Sequence, residues 1–264
     1  MNKVLMIIML LSALCYACRK DKPSEEEEKG KIVFRFVHLV DGQAVVYDTM
    51  KYTNTAGNHY MITDMQYFIS DVVLHASDGS KKMINEWQDI YYVDTYIPST
   101  FEWQVYDAIP PGHYDSISFT FGINKEKNKN GLFVNPPEVN MFWPDFLGGG
   151  FHYLKLNGRW KTQAATLLPF NFHTGIGADT IGPGQVVFVH NYFNVNLKNS
   201  SFTVNKGRNT VIEIVMNIES WFHTPHVWDW DSIGGAIMEN QSAMLWAREN
   251  GFDVFTIGEK TEEP

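Results

Sequence analysis

Residues 141–175 read MFWPDFLGGGFHYLKLNGRWKTQAATLLPFNFHTG and hold the densest group of candidate functional side chains in the chain. They include a thioether, an indole and two imidazoles, which belong to Met141, Trp143, His152 and His173. Three consecutive glycines at 148–150 let backbone segments approach each other closely. Thioether and imidazole suit Cu(I) or Zn better than Mg or Ca, which prefer carboxylate and carbonyl oxygens. The stretch is therefore compatible with a soft-metal site, although a strand with one His and one Met usually belongs to a core or a surface.

Outside this stretch, apolar residues alternate with other residues, which is the pattern of β-strands. Near the start of the chain the alternation puts His38 on the same strand face as Phe34 and Phe36, so His38 is predicted to point inward. A His on an apolar face is more often a hydrogen-bonded core residue than a metal ligand. The same period of two recurs at residues 117–123, 187–197 and 212–218.

Turn signals separate the predicted strands. They are Asp78-Gly79, Pro110-Pro111-Gly112, Asn130-Gly131, Pro183-Gly184 and Lys206-Gly207. Many short strands with frequent turns and little helix predict an all-β protein, and we expect an antiparallel β-sandwich. Helical signals occur only near the end, where Asn240 is a suitable N-cap for residues 241–249 and Gly251 suits the C′ position. The sequence thus predicts a short C-terminal helix against the sandwich.

Residues 1–17 have the pattern of a bacterial secretory signal peptide. Lys3 precedes an apolar run that is too short to span a membrane as a helix. The sequence Leu14-Cys15-Tyr16-Ala17-Cys18 resembles a lipobox, which predicts Cys18 as the acylated first residue of a lipoprotein. A soluble secreted protein cut nearby is the alternative.

Residues 18–30 are predicted to form an acidic, flexible tether between the lipid anchor in the membrane and a domain over residues 31–264. The four glutamates at 25–28 are similar to the export signals of surface lipoproteins in some Gram-negative bacteria, and a solvated spacer is the alternative. The anchor predicts an outer-membrane lipoprotein that faces the periplasm or is exposed at the surface.

Composition excludes several function classes. Cys15 and Cys18 are the 2 cysteines of the chain, so acylation of Cys18 leaves no thiol for a thiolate metal site or a catalytic nucleophile. The chain has 30 acidic against 21 basic residues and lacks the basic face that nucleic acid requires. G-x-S-x-G, H-E-x-x-H, the phosphate loop and the dinucleotide fingerprint are absent. We therefore expect a protein that is not an enzyme and does not bind nucleic acid.

Four motifs follow one another in a recognisable order. They are FVHLVDG at 36–42, MFW at 141–143, an aromatic-rich segment at 151–158 that ends in KLNG, and FNFHTG at 170–175. In this order they resemble the MbnP-like copper-binding protein family, whose central block reads roughly M-[YF]-W, K-[LI]-x-G and F-x-F-H-x-G. Residues 65–70 and 216–255 are also similar. The resemblance covers nearly all of the predicted mature domain.

The resemblance implies a Cu(I) site and a role in copper acquisition or homeostasis. In the family, imidazoles hold Cu(I) together with kynurenine, which is made by oxidation of a Trp. His38 and His173 lie on the matching His motifs, and Trp143 lies on the Trp motif. His152 and Met141 are added as candidates by their proximity in sequence. The resemblance also implies a partner, a dihaem cytochrome c peroxidase-like enzyme that performs the oxidation.

A second cluster supports a different class of function. Trp221 and Trp228 lie close in sequence to His223 and His226, and aromatic rings of this kind can grip glycan or peptide at a surface. The His-x-x-His spacing also makes the cluster an alternative metal site, and sealing one end of the sandwich is its structural alternative. An aromatic-rich, surface-exposed glycan- or peptide-binding lipoprotein without metal is therefore the alternative function.

Overall fold

The computed structural model of the protein describes residues 29–263. The predicted signal peptide, Cys18 and most of the tether lie outside the described residues. Within that range no helix is both long enough and apolar enough to cross a membrane. The first strand begins at Gly30, one residue before the predicted start of the domain.

Strands dominate the described chain. In chain order they are β1 Gly30–Val40, β2 Gln43–Ala44, β3 Tyr52–Thr53, β4 His59–Ala76, β5 Lys81–Met83, β6 Ile90–Asp94, β7 Glu102–Ile109, β8 Gly112–Phe121, β9 Leu154–Lys161, β10 Leu167–Thr174, β11 Ile176–Gly182, β12 Gln185–His190, β13 Phe193–Leu197, β14 Phe202–Val204, β15 Asn209–Asn217 and β16 Phe255–Glu263. The α-helices are α1 Trp230–Ile233 and α2 Gln241–Asn250. Single turns of 3-10 helix lie at Pro98–Phe101, Glu138–Met141, Asp145–Leu147, Ile218–Phe222 and Gly251–Asp253. The all-β class predicted from the sequence is confirmed.

The first sheet has five strands and is built around β1. Its path runs β16-β15-β1-β2, and β7 also pairs with β1. β1 and β15 are parallel, with His38 opposite Met216, whereas the other pairs of this sheet are antiparallel. The parallel pair joins strands that are far apart in sequence, so the alternation within either strand does not reveal it.

The second sheet has nine strands and is centred on the long strand β4. Its path runs β10-β9-β4-β8-β13, while β3, β5 and β6 pair with β4 and β14 pairs with β8. β9 and β10 form an antiparallel hairpin in which His173 lies opposite Lys155, and Lys155 lies opposite Gln66 of β4. Directly opposed side chains share a face of a sheet. His173, Lys155 and Gln66 are therefore on the same face.

The two sheets pack face to face around aromatic rings. Phe36 of β1 contacts Tyr67 of β4 with ring centroids 6.3 Å apart. Phe119 and Phe121 of β8 contact Phe255 of β16 at 5.3 and 5.1 Å. Burial of apolar area stabilises a fold by about 25 cal/mol per Å², so large rings on both inner faces hold the layers together. The predicted β-sandwich is confirmed.

The strand predicted over residues 187–197 is divided into β12 and β13 at Asn191. The side-chain amide of Asn191 donates to the carbonyl oxygen of Gly175 at 3.0 Å and exchanges two hydrogen bonds with the side-chain amide of Gln241. These contacts fix the chain in a break between two strands. β12 then pairs with β11 in a separate two-stranded sheet rather than continuing into β13.

Helix α2 begins as the sequence predicts, because the side chain of Asn240 accepts a hydrogen bond from the backbone N–H of Ala243. The C′ role predicted for Gly251 is wrong, since its φ angle of −62° is right-handed. A Cβ atom there would lie 2.2 Å from the ring of Phe193, so close packing requires this glycine. β16 follows the helix and is a strand that the sequence patterns do not predict.

Candidate metal site

The loop before β9 folds back on itself and carries three of the predicted site residues. The backbone N–H of Trp143 donates to the carbonyl oxygen of Gly150 at 2.8 Å, and that of His152 donates to the carbonyl oxygen of Met141 at 2.7 Å. Glycines 148–150 have φ angles of 108°, 70° and 80°, which glycine adopts without steric strain. The glycine triplet thus forms the turn that brings Met141, Trp143 and His152 together.

His152 is buried, and its ring has one nitrogen without a partner. Nδ1 lies 2.8 Å from the carbonyl oxygen of Met141. Because a carbonyl oxygen can only accept, Nδ1 carries the proton and Nε2 carries the lone pair. Within residues 29–263 the buried Nε2 atom has no hydrogen-bond partner. Burial, with the nearby charges of Lys155 and His173, lowers the pKa of His152 to about 3.

His173 reaches the same place from β10. Its Nε2 atom lies 2.8 Å from Oδ1 of Asn157. The side-chain NH₂ of Asn157 donates to Asp64 at 2.8 Å, so the amide oxygen faces His173 and accepts a hydrogen bond from its Nε2–H. The lone pair of His173 is therefore on Nδ1. Burial, and then the charge of Lys155, lowers the pKa of His173 to about 4.

The two imidazoles and the indole form one aromatic cluster. The rings of His152 and His173 have centroids 5.2 Å apart and lie edge to face at 81°. The indole of Trp143 lies 4.6 Å from the ring of His152 at 80°. Trp143 is fully buried, its Nε1–H donates to the carbonyl oxygen of Leu147 at 3.2 Å, and Gly175 leaves room for its ring. The structure thus brings together His152, His173 and Trp143.

Met141 contributes to this cluster through its backbone. Its carbonyl oxygen accepts hydrogen bonds from both the backbone N–H and the Nδ1–H of His152. Its side chain is fully buried within the core. The contact that the structure gives Met141 with His152 is therefore a carbonyl that fixes the imidazole tautomer, rather than the thioether that the sequence suggests as a ligand.

His38 lies on the opposite side of the second sheet from His173. Its Nε2 atom is 3.0 Å from the hydroxyl of Tyr67. Tyr67 follows Gln66 in β4, so their side chains point to opposite faces, and His173 shares the face of Gln66. The inward orientation predicted for His38 is confirmed, and burial lowers its pKa to about 4. The structure does not bring His38 and His173 into one site.

The alternative cluster is also divided. His223 is exposed, with Nδ1 2.8 Å from the hydroxyl of Thr224. His226 stacks on Trp246, with ring centroids 5.0 Å apart, and its Nε2 atom is hydrogen-bonded to Glu249. The two imidazoles thus have separate partners, and the His-x-x-His spacing does not form a shared site.

Trp221 and Trp228, the aromatic part of the alternative cluster, are fully buried core residues. The ring of Trp221 lies 5.2 Å from Phe121, and the ring of Trp228 lies 4.8 Å from Phe172. Rings enclosed in this way cannot stack on a glycan or peptide at the surface. Their burial agrees with the structural alternative, in which the cluster belongs to the fold rather than to a binding surface.

Sequence reasoning missed the side chains that surround the two imidazoles. Among residues 29–263 no three His, Cys, Asp or Glu side chains are grouped as a metal site. Asn157 orients His173, while Lys155 lies opposite His173 and donates to the carbonyl oxygen of Asn140 at 2.6 Å. The period of two in β9 does put Lys155 and Asn157 on one face of the strand. The pairing of β9 with β10 then shows that this is the face of His173.

Comparisons with known proteins place this architecture in a family. The MbnP family model matches residues 29–239, and no curated protein matches significantly. The fold is similar to that of MbnP from Methylosinus trichosporium, with a TM-score of 0.55 and 12% sequence identity over 86% of this chain and 98% of that chain. At this identity the superposition shows a common fold. Because the family model matches most of its length, the chain belongs to the MbnP family.

Proposed function

We propose that this protein binds a single Cu(I) ion through the imidazoles of His152 and His173. The observation that carries the proposal is the lone pair on Nε2 of His152, which is buried and has no hydrogen-bond partner within residues 29–263. Buried polar atoms in native proteins are nearly always paired, and a bound ion is a recognised reason for an exception. The ring of His173 lies against that of His152, with centroids 5.2 Å apart, so these two imidazoles would hold the ion.

The donor set fits a soft monovalent ion. Both imidazoles are neutral at neutral pH, because burial holds the pKa of His152 at about 3 and that of His173 at about 4. Neutral rings bind a metal without first losing a proton. Imidazole suits copper, whereas Mg and Ca require oxygen ligands and structural Zn sites require four protein ligands. A pair of buried imidazoles therefore fits Cu(I) better than these divalent ions.

Each imidazole is held in the tautomer that binding requires. The Nδ1–H of His152 donates to the carbonyl oxygen of Met141, and the Nε2–H of His173 donates to the amide oxygen of Asn157, whose NH₂ donates to Asp64. Hydrogen bonds of this kind to the second ring nitrogen orient metal-binding His side chains and increase their basicity. The chain thus prepares both lone pairs before any ion arrives.

We further propose that Trp143 is oxidised to kynurenine and becomes an additional ligand. Its ring touches His152, but the indole N–H can only donate and is already bonded to Leu147. Kynurenine carries an aromatic amine and a ketone, whose lone pairs can bind copper. The oxidation needs a partner, and membership of the MbnP family supports a dihaem cytochrome c peroxidase-like enzyme that uses peroxide.

The proposed setting is the cell envelope. The lipobox-like residues before Cys18 and the acidic tether support an outer-membrane lipoprotein, facing the periplasm or exposed at the surface. In that compartment a non-catalytic Cu(I) carrier would serve copper acquisition or homeostasis.

Competition with a chromophoric Cu(I) chelator tests the copper site. The purified mature protein should withdraw one equivalent of Cu(I). His152→Ala and His173→Ala should each weaken binding by more than roughly 100-fold, because each removes a ligand rather than a supporting hydrogen bond. His226→Ala is the matched control, since it removes a surface imidazole that pairs with Glu249. Equal competition by the wild type and both site variants would show that copper is not bound here.

A further inference from the structure

Lys155 puts a positive charge beside both candidate ligands. It lies directly opposite His173 in the β9–β10 hairpin, and directly opposed side chains of paired strands are neighbours. Its Nζ atom donates to the carbonyl oxygen of Asn140 at 2.6 Å, one residue before the carbonyl of Met141 that holds His152. The ammonium is therefore tied to the loop that carries Met141 and His152, while its strand position is beside His173.

The charge of Lys155 acts on both rings. It is among the causes that lower the pKa of His152 and of His173, after burial. Burial also lowers the pKa of Lys155 itself, while the carboxylates of Asp64 and Asp94 act in the opposite direction and favour the ammonium. The carboxylate of Asp64 is separated from His173 by the amide of Asn157. The charged side chain that acts on both rings is therefore a cation.

We propose that Lys155 makes this site selective for a monovalent over a divalent cation. The inference rests on the proposed copper site and names the side chain that sets its charge preference. The repulsion between a fixed ammonium and a bound ion is proportional to the charge of the ion, so a divalent ion meets twice the repulsion that a monovalent ion meets. Two neutral imidazoles supply no negative charge to offset it. Lys155 thus disfavours Zn²⁺ and Cu²⁺ relative to Cu(I) at this site.

The test compares Cu(I) and Zn²⁺ affinities, measured by chelator competition, in the wild type and in Lys155→Gln. Glutamine removes the charge and keeps a hydrogen-bond donor for the carbonyl oxygen of Asn140. The variant therefore tests the charge of Lys155 apart from its hydrogen bond to the loop. We expect Lys155→Gln to raise the Zn²⁺ affinity roughly tenfold more than the Cu(I) affinity, as removal of one unit charge at close range predicts. Zn²⁺ is the divalent probe because it has no redox chemistry.

Two controls isolate the charge. Lys155→Arg keeps the charge and should preserve the wild-type ratio of the two affinities. Lys161→Gln removes an exposed charge six residues further along β9. Lys161 is about 20 Å from Lys155 along the strand, beyond the screening length of about 10 Å. Lys161→Gln should therefore have the same ratio of Cu(I) to Zn²⁺ affinity as the wild type.

The outcomes separate the two proposals. If the wild type binds Cu(I) and Lys155→Gln leaves the ratio of affinities unchanged, Lys155 does not set the charge preference, and the copper site stands. If Lys155→Arg shifts the ratio as much as Lys155→Gln, side-chain shape rather than charge is responsible. If the wild type binds no Cu(I), the proposed function fails, and the selectivity proposal fails with it.

Discussion

The imidazoles of His152 and His173 meet edge to face with centroids 5.2 Å apart, and each ring has one nitrogen committed to a hydrogen bond and the other left with its lone pair. One ring comes from the loop before β9 and the other from β10. Their meeting therefore depends on the glycine turn and on the pairing of the hairpin.

Asn157→Leu should weaken Cu(I) binding by roughly 10- to 100-fold without removing a ligand. The amide oxygen of Asn157 accepts a hydrogen bond from the Nε2–H of His173, and its loss leaves the tautomer and the orientation of that ring unfixed. Chelator competition measures the effect. Asn171→Leu is the matched control, because Asn171 is the exposed neighbour directly opposite Asn157. Equal affinities for the two variants would contradict the proposed role of Asn157.

His38→Phe should leave the Cu(I) affinity within roughly twofold of the wild type, because changes at separate sites are nearly additive. The same variant should lower the free energy of unfolding by about 1–3 kcal/mol, since the buried hydroxyl of Tyr67 loses its partner. Adding Tyr67→Phe removes the unpaired hydroxyl and should restore part of that loss. Chelator competition measures the Cu(I) affinity, and urea unfolding measures the free energy of unfolding. A large loss of Cu(I) affinity would show that His38 contributes to the copper site.

Strand alternation was enough to predict the inward orientation of His38 and the sandwich, because both follow from the period of two within single strands. It could not show that Tyr67 separates His38 from the face of His173, since that depends on the pairing of β4, β9 and β10. Asn157 and Lys155 were missed for the same reason. The sequence left open whether Trp228 lies at a binding surface or in the fold, because burial of an aromatic ring is decided by tertiary packing rather than by the residues next to it in sequence.

Stability should fall on acidification between about pH 6.5 and pH 4, because three buried imidazoles resist protonation. Burial lowers the pKa of His38 and His173 to about 4 and, with nearby charges, that of His152 to about 3. In this window the unfolded chain binds protons that the folded chain does not. Each such imidazole therefore reduces the free energy of unfolding by up to about 1.4 kcal/mol per pH unit. Urea unfolding of the metal-free protein across this range measures the slope.

Glu219 opposes this trend and provides the control. Burial raises its pKa to about 7, and the hydroxyl of Tyr60 donates to it at 2.5 Å. The folded state therefore binds a proton that the unfolded chain lacks between about pH 7 and pH 4.5, and this stabilises the fold as the pH falls. Glu219→Gln removes that contribution, so its stability should decline more steeply with acid than that of the wild type. An identical slope would show that Glu219 titrates normally.

Full-length protein expressed in a Gram-negative host should partition into the detergent phase of a Triton extraction, because an acylated Cys18 carries long apolar chains. Cys18→Ser should move the protein to the aqueous phase or stall its processing. Cys15→Ser is the matched control, since Cys15 lies within the predicted signal peptide and should leave the partition unchanged. Recovery of the wild type in the aqueous phase would exclude the lipid anchor.

Trp143 should be modified in protein from the native host and unmodified in protein made without the peroxidase-like partner. Conversion of Trp to kynurenine gains one oxygen and loses one carbon, which leaves as formate, so the mass rises by about 4 Da. The change should be confined to the peptide that contains Met141 and Lys155. Unmodified protein should still bind Cu(I) through His152 and His173, with lower affinity, because the indole supplies no lone pair.

Exposure distinguishes directed oxidation from accidental damage. Trp87 is 74% exposed and Trp246 is 38% exposed, whereas Trp143 and Trp228 are fully buried. Accidental oxidation follows exposure and would mark Trp87 before either buried ring. Oxidation directed to the copper site should instead modify Trp143 and spare both Trp87 and Trp228, because Trp143 lies against His152. Peptide mapping of native protein measures this order. Modification of Trp87 alone would remove the peroxidase-like partner from the proposed function and leave His152 and His173 as the protein ligands.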